Sequence, residues 1–161
     1  MTRQREIQNI ASAARRFIEP VWNHWHQSRG RPVPHPASRF TCGRTSLFLR
    51  DVLRHEGHPA EWTSGTPYAG VSGAPDTPCG FYSGTRWEGH AWVCSGETII
   101  DITADQFGGD RIFITSVFDD RYVSSRDLAN PDAIKARREA VAALWPDRLG
   151  FRSKSDLLHK S

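Results

Sequence analysis

The chain has 161 residues, a formal net charge of +3 and an ordinary apolar content of 38%. That length suits a single domain, residues 1–161, with a real hydrophobic core. No apolar run approaches the roughly 18 residues of a membrane span, and the N-terminus MTRQREIQNI lacks the apolar core of a signal peptide. A cytoplasmic protein without a membrane partner is therefore expected.

Residues 1–39 read as a helical region and a Pro-rich strap. Ile7, Ile10, Ala14, Phe17, Ile18 and Val21 recur at roughly 3.6-residue spacing over residues 3–27. Pro20 predicts a kink or a break into two helices. Arg3, Arg5, Arg15 and Arg16 cluster here and are read as a solvated helix face rather than a nucleic-acid contact. His24 and His26 are two residues apart, so on a helix they diverge and make a poor metal pair. Residues 28–39, SRGRPVPHPASR, resist helix because residues before proline favour extended backbone.

Residues 40–127 are read as the core. Residues 41–56, TCGRTSLFLRDVLRHE, form the clearest helix, with Thr41 as its expected cap and Gly57 as its stop. Cys42, Ser46, Leu49 and Leu53 fall on one face. Free backbone N–H groups and the helix dipole favour an anion in the first turn, so the Cys42 thiol is expected to ionise more readily than usual. Gly43 beside it is expected to let a substrate approach the backbone. Residues 59–66 read as a strand. Residues 67–88 show no obvious core element and are read as a substrate-facing flap, lined by Tyr68, Phe81, Tyr82 and Trp87.

The stretch 89–107, GHAWVCSGETIIDITADQF, reads as two strands joined by a Ser95-Gly96 turn. That register pairs His90 with Asp101, close enough for a hydrogen bond. A thiol opening a helix, a histidine starting a strand and an acid on the next strand form a Cys-His-Asp set. Asp105 is the rival acid. Gln106, Trp92, Trp87 and Tyr82 are the candidates to line the substrate or oxyanion site. Residues 111–117 and 122–124 read as further strands. Residues 128–161 are read as a C-terminal helix and loose tail, with Asn130 as cap, Pro131 in the first turn and Pro146 as the end. Lys135, Arg137 and Arg138 are expected to face mostly outward. Cys42, Cys79 and Cys94 contain no C-x-x-C pair, so a zinc site has no sequence support and no cofactor is expected.

The stretch CGRTSLFLRDVLRHEGH from Cys42, followed by GHAWV and then IIDIT, resembles the core of the transglutaminase-like branch of the papain-like cysteine hydrolase superfamily. The resemblance covers roughly residues 40–107. It implies an α+β fold in which the catalytic-Cys helix packs on an antiparallel sheet. It implies Cys42 as nucleophile, His90 as base and Asp101 as the residue that orients it. The expected activity is thiol-dependent cleavage or transfer at an amide bond of a protein or peptide, as a protease, deamidase or transamidase. The alternative is a non-catalytic binding module, in which the basic N-terminal helix contacts nucleic acid.

Overall fold

The computed structural model of the chain describes residues 2–67 and 78–145. It is an α+β arrangement of three helices and two antiparallel sheets. Helix α1 runs unbroken over Arg3–Ser28 with Pro20 inside it. The expected break at Pro20 does not occur. Buried Ile7, Ile10, Ala14, Ile18 and Trp22 anchor the helix on both sides of the proline, and packing of that stripe outweighs the lost hydrogen bond. Helix α2 is Cys42–His55, and Gly57, with a φ of +86°, ends it in a left-handed turn.

Strands β1 (Glu61–Gly65), β4 (His90–Ser95), β5 (Thr98–Asp101) and β6 (Phe113–Ser116) form the larger sheet, in the order β1-β4-β5-β6. Strands β2 (Gly80–Tyr82), β3 (Trp87–Glu88) and β7 (Tyr122–Val123) form the smaller one, in the order β3-β2-β7. Five residues of the expected flap, Gly80–Tyr82 and Trp87–Glu88, are therefore sheet. Their brevity hid them, since strands of two and three residues carry no readable alternation. Tyr68 and residues 69–77 of that stretch lie outside the described residues.

The two faces of the larger sheet have different partners. Val93, Ile100 and Ile102 join the core built by α1 and α2. Trp92 and Ile99 on the opposite face pack with Phe81 and Tyr122 of the smaller sheet. The sheets approach closely at two glycines. A Cβ on Gly65 would lie 2.2 Å from the Val123 carbonyl oxygen, and one on Gly80 would lie 3.0 Å from the Gly65 carbonyl oxygen and, within the smaller sheet, 2.0 Å from that of Glu88. No side chain fits at either point.

Helix α3, Pro131–Ala142, starts as its sequence predicts, with the Asn130 side chain accepting from the Ala133 N–H at 2.8 Å. Pro146 lies outside the described residues. Arg137 departs from its expected outward position. Its guanidinium sits 4.1 Å from the Trp62 ring centroid and donates to Asp127 at 2.6 Å. The aromatic face and the carboxylate together draw it onto the packed side of the helix.

Candidate active site

The site forms where the start of α2 meets β4 and β5. Ser46, one turn after Cys42, donates its hydroxyl to the Ala91 carbonyl at 3.0 Å and fixes α2 to the strand carrying His90. Thr41 does not cap the helix as expected. Its hydroxyl donates to Ser38 O at 2.7 Å, and α2 has no side-chain cap. The N-terminal N–H groups thus remain directed at the space beside Cys42, where a thiolate or an oxyanion would lie.

The hairpin register differs from the expected one. Ser95 pairs with Thr98 and Cys94 with Ile99, so Gly96 and Glu97 make the turn, and Gly96 takes a φ of +60°. Extending this register puts Asp101 across from Trp92, with His90 two residues further along the same face. The pair is therefore diagonal, a spacing that an imidazole can span. His90 Nε2 and Asp101 Oδ2 are 2.6 Å apart, both side chains fully buried. A shift of two residues preserves the face, which is why the right residues meet despite the wrong expected turn.

Asp101 has three further contacts. Its Oδ1 accepts from the Thr103 N–H at 2.9 Å and from the Thr103 hydroxyl at 3.3 Å, and its Oδ2 accepts from the Tyr122 hydroxyl at 2.8 Å. Burial pushes its pKa up, but the His90 charge and these hydrogen bonds outweigh it, and the carboxylate ionises below its usual range. The donated bond and buried carboxylate push Tyr122 well above the usual phenol range, with burial the largest contribution.

With Nε2 on Asp101, Nδ1 is the ring nitrogen left for Cys42, whose sulfur shares a hydrogen bond with His90 and accepts one from the Ala91 N–H. Burial opposes charge on both partners. On Cys42 the His90 bond and charge prevail, and the thiol pKa falls. On His90 the Asp101 charge and hydrogen bond, aided by Cys42, prevail, and the imidazole is raised to about 10. The favoured resting state is a thiolate–imidazolium pair. Cys42 keeps part of its surface accessible, as a nucleophile must.

This pair has a distinctive linkage to pH. Alone, a histidine raised from 6.5 stabilises the fold fully below 6.5 and loses that contribution as pH rises to about 10. A thiol lowered from 9.0 does the opposite, contributing fully above 9.0 and losing it as pH falls through its folded value. Between these limits, once Cys42 is ionised, the folded pair and the unfolded thiol with neutral imidazole hold the same number of protons. The two slopes cancel. We predict little pH dependence from this pair between about pH 6.5 and 9.0, whereas Cys42→Ala should lose stability steadily above pH 6.5. Denaturant midpoints of both proteins across that range check it, and parallel curves would refute the ion pair.

The other sequence candidates divide. Gln106 lies within the site, its Nε2 donating to Thr103 O at 3.1 Å and lying 3.4 Å from His90 Nδ1. Trp92 is buried, packing with His90 and edge-on against Tyr122 at 5.1 Å. It supports the imidazole from within and offers no substrate surface. Trp87 and Tyr82 pair with each other at 5.3 Å on the small sheet, away from the His90 ring cluster. Gly43 faces the wrong way. Its carbonyl accepts from Trp62 Nε1 at 3.0 Å, and a Cβ on it would meet Arg137 at 3.5 Å, so the chain's own side chains take the space expected for substrate. Asp105 is committed elsewhere, bonded by both terminal nitrogens of Arg15 at 3.0 and 2.9 Å.

Arg15 was expected on a solvated face. It is 5% exposed and also bonds Glu19 and the carbonyls of Ile102 and Arg111. Arg3 donates to Ser95 on the hairpin turn. Two of the four N-terminal arginines thus serve internal contacts. The sequence reading missed Tyr122 and Phe107, and it placed Phe81 on the flap, where the structure packs it on the His90 ring. Phe107 meets the His90 ring edge-on at 5.0 Å, and Phe81 at 5.8 Å. A tyrosine on a two-residue strand gives no local sign of an aspartate partner 21 positions away.

No group of three or more His, Cys, Asp or Glu residues that could hold a metal ion lies among the described residues, and no helix there is long and apolar enough to cross a membrane. In comparison with known proteins, no family model, curated protein or solved structure matches the chain.

Proposed function

We propose that this chain is a thiol-dependent amide-bond enzyme of the transglutaminase-like, papain-like type, acting on a protein or peptide through an acyl-enzyme on Cys42. The observation that carries the proposal is the relay itself: a largely buried thiol hydrogen-bonded to His90, whose other nitrogen is 2.6 Å from a fully buried Asp101.

The chemistry follows from the relay. The Cys42 thiolate attacks the amide carbonyl, and the C–S bond forms as the carbonyl electrons move to oxygen. The helix-start N–H groups stabilise that oxyanion. The Gln106 amide, already held at Thr103 O, has a second N–H beside His90 that can swing to the same oxygen. The oxyanion collapses, the C–N bond breaks, and His90 gives its proton to the leaving amine. Neutral His90 then takes a proton from the incoming water or amine. That nucleophile attacks the thioester, and Cys42 leaves as thiolate. Water gives hydrolysis or deamidation, and an amine gives transamidation. The free thiols Cys42, Cys79 and Cys94 suit a reducing compartment such as the cytoplasm.

Iodoacetamide titration tests this reading. At pH 6, Cys42 should be alkylated well ahead of Cys79 and Cys94, neither of which opens a helix. Peptide mapping of the adducts reads the order. Equal, slow labelling of all three would overturn the proposal.

A further inference from the structure

A cleft of about 590 Å³ opens beside the relay, lined by Pro36, Arg39 and Phe40 on the strap side, Ser83, Thr85, Arg86 and Glu88 on the small-sheet side, and residues 105–108 beneath. Two of these lining residues reach His90. Gln106 lies 3.4 Å from Nδ1, and Phe107 packs edge-on against the ring. Arg39 and Phe40 immediately precede Thr41 and Cys42. The cleft therefore lies against two side chains that touch the relay histidine.

Its charges are unevenly satisfied. Glu88 is paired with Arg86 at 2.6 Å, and Asp105 with Arg15 at 2.9 Å. Both carboxylates of the lining are thus neutralised by this chain's own arginines. Arg39 is exposed, and its guanidinium has no hydrogen-bond or ion-pair partner among the described residues. The cleft presents one uncompensated positive group.

Phe40 supplies a second, independent observation. It has a φ of +65°, the sole positive φ among the non-glycine described residues. That conformation is costly for a bulky side chain. The side chain does not repay the strain by burial, because it is 63% exposed. A strained backbone that displays an aromatic ring at the mouth of a reactive cleft points to a contact made outside the chain.

We propose that this cleft is a subsite for an acidic residue of an extended peptide, with Arg39 as the group that reads its carboxylate and Phe40 and Phe107 as apolar walls against its stem and backbone. A guanidinium suits this role because its planar fork matches a carboxylate. The inference rests on the thiol acyl-transfer reading of Cys42 and adds the substrate class.

Tripeptide chloromethyl ketones ending in alanine test it, with Glu, Gln or Lys placed at each of the two preceding positions. The Cys42 thiolate displaces chloride, forming a C–S bond, so inactivation reports peptide binding without an identified substrate. At one of the positions, Glu should be favoured over Gln by about fivefold, the scale of an exposed charge pair, and over Lys by more. The preference should shrink as salt rises. In Arg39→Gln the Glu-to-Lys ratio should collapse towards one. Phe40→Asn, which accepts a left-handed φ, should slow inactivation by all the peptides while leaving the melting temperature equal or higher, a combination that a merely structural ring would not give. Equal inactivation by Glu and Lys peptides at both positions would overturn the subsite. So would failure of every peptide on protein that iodoacetamide still labels at Cys42, with the thiol reading intact. If iodoacetamide also fails at Cys42, both fall together.

Discussion

Replacing His90 by asparagine should abolish the early ionisation of Cys42. In the native site, burial disfavours the thiolate, and the His90 hydrogen bond and charge overcome that penalty. Without the imidazolium, burial is opposed only by the Ala91 N–H and the helix start. The thiol should return to the ordinary range near 8.5 or above it. At pH 6 an ordinary thiol is about 0.3% ionised, so alkylation by iodoacetamide should fall by about tenfold, allowing for the higher intrinsic reactivity of a more basic thiolate. The pH profile of the rate separates this from a loss of access. The native rate should level off at lower pH than the variant's, and the variant should climb tenfold per pH unit up to about pH 8.5. A variant that keeps the native profile would show that His90 does not ionise the thiol.

The second large effect concerns Asp101→Asn, whose consequence follows from hydrogen-bond directions. Asp101 only accepts: from Thr103 N–H and hydroxyl on one oxygen, and from His90 and Tyr122 on the other. An asparagine must turn its NH₂ towards one of these sets, so in either orientation a donor confronts a donor. With the NH₂ towards His90, Nε2 becomes an acceptor, and the neutral ring carries its proton on Nδ1, facing Cys42. That tautomer cannot take a proton from the thiol. With the NH₂ towards Thr103, the backbone N–H loses its buried acceptor. Either way the imidazolium also loses its counter-charge. We expect reactivity towards peptide inactivators to fall by about 10³ to 10⁴, the scale of the equivalent loss in a Ser-His-Asp triad. Stability should drop by about 2 kcal/mol for the buried unsatisfied group. Loss of turnover should still be less than for Cys42→Ala, which removes the nucleophile itself. Tyr122→Phe is the internal control. It removes one donor from Asp101 and leaves the tautomer intact, so it should cost far less. Equal damage from the two variants would mean that Asp101 serves the packing of the small sheet rather than the orientation of His90.

How much of this was legible before folding depends on the range of the interaction. The end of α2, the hairpin strands and the cap of α3 follow from neighbours along the chain: Gly57 with its left-handed φ, the short turn between alternating strands, and Asn130 ahead of Pro131. Cys42, His90 and Asp101 could be singled out because each stands at a place defined by such local signals. Their contact is a different matter. Turn chemistry alone put the loop at Ser95-Gly96, whereas pairing across β4 and β5 put it at Gly96-Glu97. The face of each strand survived the shift because side chains alternate with a period of two.

What only the tertiary structure decided is everything carried by charge or by short strands. Arg15 has the sequence context of a surface residue, yet it is buried because Asp105 and Glu19 and two backbone carbonyls converge on it. Asp105 and Asp101 are indistinguishable as acids in the sequence, and the difference is that one meets Arg15 and the other meets His90 and Tyr122. Gly65 reads as part of a strand and Gly80 as part of the flap, yet together they mark where two sheets approach too closely for a Cβ. Periodicity and capping act between near neighbours, so the sequence by itself determined the longer elements and the faces they bury. Ion pairing and the approach of backbones act between residues far apart in the chain, and their outcome exists only once the elements have packed.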